Sequence, residues 1–110
     1  MDKSHAIEAL HALAQETRLD AFRLLVKQGS AGMAAGDIAD ALGAKQNTMS
    51  ANLAVLARAG MVRSEREGRV IRYFADFDGM RGMLAFLMED CCGGNPDLCK
   101  PVLDEVVCAC

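Results

Sequence analysis

Five cysteines, Cys91, Cys92, Cys99, Cys108 and Cys110, all lie in the last 20 of the chain's 110 residues. Thiolates select soft ions by ligand type, and they are also the groups most readily oxidised in reversible steps. An odd count in a chain without a signal-peptide layout does not suggest a disulfide framework, so the cluster points to metal binding or redox sensing. Thiol catalysis is a poorer fit. It needs a thiolate activated by a base or a helix N-terminus, whereas these cysteines follow an expected helix C-terminus among acids. An enzyme is therefore not expected. His5 and His11 read as surface or packing residues of a first helix, Asp104 and Glu105 as solvated acids, and the seven methionines as core filling.

A second constellation sits in the middle of the chain. The net charge of −3 conceals a segregation. Residues 45–72 carry six bases (Lys45, Arg58, Arg63, Arg66, Arg69, Arg72) against Glu65 and Glu67, while residues 76–110 carry seven acids against Arg81 and Lys100. The basic middle is the candidate for contact with a polyanion. It opens on KQNTMSAN, where Gln46, Asn47, Thr48, Ser50 and Asn52 are hydroxyl or amide side chains able to hydrogen-bond bases or phosphates. It closes on SEREGRVIRYF, where Arg66 and Arg69 bracket Glu67-Gly68 and could reach a phosphate or a narrow minor groove. Arg63 and Arg72 lie nearer the base of that segment.

The elements that must position these residues follow from periodicity. Ile7, Leu10, Leu13 and Ala14 share one face of a first helix; Leu19, Phe22, Leu25 and Val26 share one face of a second, ended by Gly29. Residues 35–42 make a short third helix with Ile38 and Leu42 inward, and residues 46–59 a fourth with Met49, Leu53 and Leu56 inward. Met61 to Arg66 and Val70 to Ala75 read as strands flanking a turn at Glu67-Gly68. Asp78 or Gly79 opens a fifth helix. Its segment MLAFLM is apolar almost all round and calls for a cover, on a domain this small a second subunit. Two short helices, a turn and a hairpin make a winged helix-turn-helix, whose second helix presents its N-terminal half to the major groove. The fold expected is mainly α: five helices plus a two-stranded wing, homodimeric. Residues 1–90 form the DNA-binding and dimerisation domain, and residues 91–110 a cysteine-rich tail that binds an inducer. No run approaches the ~18 to 20 apolar residues that would span a bilayer, so a cytoplasmic protein with no membrane partner is expected.

In order and spacing, LAQETRLDAFRLLV (Leu13 to Val26), DIADALG (Asp37 to Gly43), QNTMSANLAVLARAGMV (Gln46 to Val62) and REGRVIRYF (Arg66 to Phe74) resemble the arsenic-repressor (ArsR–SmtB) family of winged-helix regulators. The resemblance covers about residues 5–90. It implies a homodimer built from the first and last helices, an operator with two-fold symmetry, and repression relieved by inducer. Two positions depart from the family pattern: Asn52 stands where a His is usual, and Lys45 where Ser or Pro often begins the recognition helix, so the usual cap is missing.

Many arsenic-sensing relatives carry Cys-x-Cys in the third helix, where this chain has Ala34-Ala35-Gly36. It is more similar to an arsenite-responsive branch with Cys-Cys-Gly-Gly, a Pro and a further Cys after the last helix. That resemblance implies Cys91, Cys92 and Cys99 as ligands of trivalent arsenic or antimony, which takes three thiolates in a pyramid. Adjacent cysteines on a regular helix point about 100° apart, so the helix must end there for both to meet one ion. Gly93, Gly94 and Pro96 would end it and let Cys99 return to the pair. Zinc or cadmium would want a fourth ligand, from Cys108 or Cys110. A thiol-based redox sensor on the same fold is the remaining alternative.

Overall fold

The computed structural model describes residues 1–89 and 96–106. Helix α1 spans Lys3–Leu13 and α2 Glu16–Gln28; a 3₁₀ turn, Gly29–Ala31, leads to strand β1, Met33–Ala34. Helix α3 (Ala35–Leu42) and α4 (Gln46–Arg58) precede the hairpin strands β2 (Val62–Glu67) and β3 (Val70–Ala75), then α5 (Phe77–Leu87) and α6 (Pro96–Val106). The chain is thus mainly helical with a small antiparallel sheet, a winged helix-turn-helix.

Side chains set several of the boundaries. Asp2 Oδ1 accepts the His5 N–H at 2.8 Å and starts α1; that bond holds the Asp2 carboxyl below its ordinary pKa. Gln15 Oε1 accepts the Arg18 N–H at 2.8 Å and starts α2. Asp76 Oδ1 accepts the Gly79 N–H at 3.1 Å, so α5 begins at Phe77 rather than at the expected Asp78 or Gly79.

Two expectations of the sheet are corrected. The ladder runs to Glu67↔Val70, which leaves Gly68-Arg69 as the two-residue loop, one residue later than the expected Glu67-Gly68. Gly68 has φ 64, a left-handed conformation that glycine adopts without Cβ strain. The wing also has a third strand: β1 pairs antiparallel with β3 through Met33↔Tyr73 and Ala34↔Arg72, in the order β1-β3-β2.

Leu25, Ile38, Met49, Leu53, Leu56 and Met61 are fully buried where α2, α3 and α4 meet the base of the wing. Each such side chain stabilises the fold by about 1.5–3 kcal/mol relative to exposure. The start of α5 sits directly on the turn after α4. The Asp76 N–H donates to the Met61 carbonyl at 2.9 Å, and a Cβ at Gly79 would collide with the Gly60 carbonyl oxygen.

Helix α1 reverses the expected face. Its buried side chains are Ala6, Ala9 and Ala12, while Ile7 is 58% and Leu10 42% exposed. Helix α5 packs on α1 and buries only Met83, leaving Phe77, Leu84 and Leu87 exposed. Helix α6 falls where no helix was expected. At about 100° per residue, Leu98, Cys99, Val102, Leu103 and Val106 share one arc of it, opposite Asp97, Lys100 and Asp104. Cys99 is buried and the other four apolar residues are exposed. Leu103 joins Phe77, Met80, Leu84 and Met88 in an open apolar groove of about 470 Å³. Among the described residues no helix is long and apolar enough to cross a membrane.

Candidate nucleic-acid interface

The α3–α4 pair is held by its inner faces. Gly43, in the left-handed region at φ 65, ends α3, and after Ala44 and Lys45 α4 begins. Met49, Leu53 and Leu56, at spacings of four and three, turn one side of α4 into the core. The opposite side must then face out. Gln46, Asn47, Thr48 and Ser50 are exposed there. As the sequence implies, Lys45 gives α4 no side-chain cap. Asn47 serves the first turn instead, its Oδ1 accepting the Thr48 N–H at 2.9 Å.

Asn52 is placed differently from its neighbours. It is half-buried, and its Oδ1 accepts a hydrogen bond from Arg18 Nη1 at 3.4 Å. Arg18 was not singled out from the sequence, although one signal was available. It lies in the first turn of α2, where the positive end of the helix dipole disfavours a cation, so it needs acceptors from outside its helix.

The wing arginines divide into two kinds. Arg63 pairs with Glu65 at 2.9 Å and lies over the Phe74 ring, 4.3 Å from its centroid. Arg72 pairs with Glu67 at 3.0 Å and donates to the Ala31 carbonyl at 3.2 Å, tying the wing to the 3₁₀ turn. These two hold the wing together. Arg66 and Arg69 are exposed at its end, Arg66 Nε donating to the Gly68 carbonyl at 3.3 Å and Arg69 lying in the loop itself. Among the described residues neither enters an ion pair, so the tip keeps its positive charge.

The two elements meet in an open groove of about 420 Å³, lined by Gln46 and Ser50 of α4, Gly36 and Asp37 of α3, and Arg69 and Ile71 of the wing. Three residues singled out from the sequence, Gln46, Ser50 and Arg69, thus line one concavity. Asn47 and Thr48 lie outside it on exposed α4, and Asn52 is turned toward α2.

A helix-turn-helix domain model matches residues 13–65 of the chain. The homodimeric winged helix-turn-helix DNA-binding domain of a possible ArsR-family transcriptional regulator from Mycobacterium bovis is 31% identical, over 79% of this chain and 81% of that one, with a TM-score of 0.64. The chain belongs to the ArsR family of winged-helix transcriptional regulators. Two further solved structures are similar. HlyU from Vibrio cholerae is 27% identical over 80% of this chain and 95% of its own, TM-score 0.65. A possible transcriptional regulator for arsenical resistance is 25% identical over 88% of this chain and 95% of its own, TM-score 0.66. No curated protein sequence matches the chain.

Of the cysteines expected to serve this ArsR protein as a sensor, Cys91, Cys92, Cys108 and Cys110 lie outside the described residues. Cys99 is on α6, 6% exposed and disulfide-bonded. Among the described residues no three His, Cys, Asp or Glu side chains form a cluster able to hold a metal ion. His5 is bonded to Asp2 at the start of α1, and His11 is exposed in its last turn.

Proposed function

We propose that the chain is a homodimeric repressor that binds an operator of two-fold symmetry through α4 and the wing, and that leaves it when trivalent arsenic or antimony is held by the thiolates of Cys91, Cys92 and Cys99. The observation that carries the DNA part is the groove lined by Gln46, Ser50 and Arg69, open between a helix with an exposed polar face and a cationic wing tip. The dimer is supported by the exposed apolar residues of α1 and α5, and by the homodimeric relative. The metalloid part rests on soft-ligand chemistry and on the sequence resemblance of the cysteine segment.

In this reading α4 lies in the major groove, and Asn47, Thr48 and Ser50 meet base edges while Arg66 and Arg69 meet phosphates. Two subunits must hold their α4 helices about 34 Å apart, one turn of DNA, to engage both half-sites. Cys99 belongs to the apolar arc of α6, and Leu103 of that helix lines one groove with Phe77, Met80 and Leu84 of α5. Drawing the thiolates together reshapes the end of α5 and changes how the subunits are held.

One observation favours a second reading, a thiol-based redox switch: Cys99 is disulfide-bonded. A peroxide would take two electrons from two thiols, forming one disulfide and water. The deciding experiment measures release of the reduced protein from DNA during separate titrations with arsenite, antimonite, zinc, cadmium and hydrogen peroxide. Release by arsenite or antimonite alone supports the metalloid reading. Release by zinc or cadmium moves the site toward four ligands, and release by peroxide alone replaces the ion with oxidation.

A further inference from the structure

We propose that Arg18 is a positioning residue for sequence recognition, joining the last turn of α1 to the DNA-reading helix so that the set of α4 follows that of α1. The proposal rests on the assignment of α4 as the reading helix. Arg18 stands in the first turn of α2 and is half-buried. Its Nε donates to the Ala12 carbonyl at 2.6 Å and its Nη1 to Asn52 Oδ1 at 3.4 Å. Ala12 is in the last turn of α1, where the final four carbonyls have no donor of their own helix. Asn52 lies on the edge of α4 one turn after the exposed Thr48. One guanidinium therefore spans three helices: it is anchored in α2, satisfies the end of α1 and bears on the flank of α4.

The geometry needs arginine in particular. A planar fork can present two N–H groups to two acceptors at fixed angles, whereas a lysine ammonium is a point donor on a flexible stem. The α1 seam makes the link consequential. Ala6, Ala9 and Ala12 meet the body with methyl groups, and among the large apolar residues of α1 only Leu13, at its end, packs against the core, so side-chain interlocking along the helix is slight. Where α1 and α4 meet, the Arg18 bridge adds a directional hydrogen-bonded link between that helix's end and α4, and a displacement of α1 when subunits associate reaches the reading helix through it.

The test compares wild type, Arg18→Lys, Asn52→Ala and the double variant by two readouts. The first needs no DNA: amide hydrogen exchange across α4, with the Asn52 side-chain amide followed by NMR in Arg18→Lys. Each single variant should speed exchange in α4 by up to about tenfold while α3 keeps its rates, and the double variant should add nothing further, as for residues acting through one contact. The second readout is base preference on duplexes of about 30 base pairs, roughly three helical turns, selected by wild type from a randomised library. Both single variants should shift preference at the same positions. Additive effects in the double variant, exchange raised evenly through α3 and α4, or an unmoved Asn52 amide would each overturn the link. Wild type selecting no duplex would end the DNA reading while the exchange measurement still decides the bridge.

Discussion

Arg69 and Arg72 are three residues apart and carry the same charge, yet they have different work. Arg69 lies in an exposed loop beside the α4 groove, and Arg72 is bonded to Glu67 and Ala31. Arg69→Ala should weaken binding to all DNA sequences alike and reduce the slope of log affinity against log salt by about 1, the share of one phosphate contact. Fluorescence anisotropy over a salt series measures this, and an unchanged slope counts against the wing as a phosphate clamp. Arg72→Ala should instead loosen the wing, read as faster amide exchange in β3. Asn47→Ala or Ser50→Ala should alter which bases are preferred, by about 1–3 kcal/mol per lost contact. In the sensing segment, Cys99→Ser should bind DNA as before and no longer be released by arsenite, because a hydroxyl is too hard and too weakly acidic to replace a thiolate. Continued release of the Cys99→Ser protein would remove that residue from the site. The residue types of the α4 surface were legible in the sequence. The division among the arginines was not, because it depends on the strand register, which sets Glu67 opposite Val70 and so within reach of Arg72, and on a carbonyl 41 residues away.

Elements with strong periodicity were read correctly, and α2, α4 and the hairpin lie close to where Phe22, Leu53 and Val70 placed them. The misses have physical causes. Helix α1 carries two rows of apolar residues, and hydrophobicity alone favours the row with Ile7 and Leu10; close packing of helices selects the alanine row instead. Strand β1 is two residues long and exists only through its pairing with β3. Helix α6 is hidden in the sequence by Pro96, which reads as a stop signal after Gly93-Gly94 although proline is equally at home as the first residue of a helix, which is its place here. Pro101, inside the same helix, removes an N–H from its ladder. One contact between elements gives a sharp test. Gly79→Ala would press a methyl group against the Gly60 carbonyl and force α5 away from the turn after α4. The expected loss is about 1–3 kcal/mol, as for other overpacked sites, measured by urea unfolding; an unchanged midpoint would mean that α5 is not seated on that turn.

For the whole molecule, the proposed dimer and the proposed inducer are linked by thermodynamics. If arsenite lowers DNA affinity, DNA must lower arsenite affinity by the same factor, ~1.4 kcal/mol for each tenfold change. Titrating arsenite with and without a bound duplex, read by thiolate–arsenic absorbance, tests this, and equal affinities would leave direct displacement or unfolding as the route of release. Leu84→Glu, on the exposed side of α5, should convert dimers to monomers in sedimentation and with them abolish tight binding to paired half-sites. The arrangement of α1 has one more consequence. Its alanines face its own subunit while Ile7 and Leu10 are left for a neighbour, so much of the water-excluding surface of that helix is claimed only on association. A folded population that depends on pairing becomes firmer as molecules accumulate and softer on dilution. The melting temperature should therefore climb with protein concentration, and a cell that makes few copies would hold a looser, shorter-lived regulator than one that makes many.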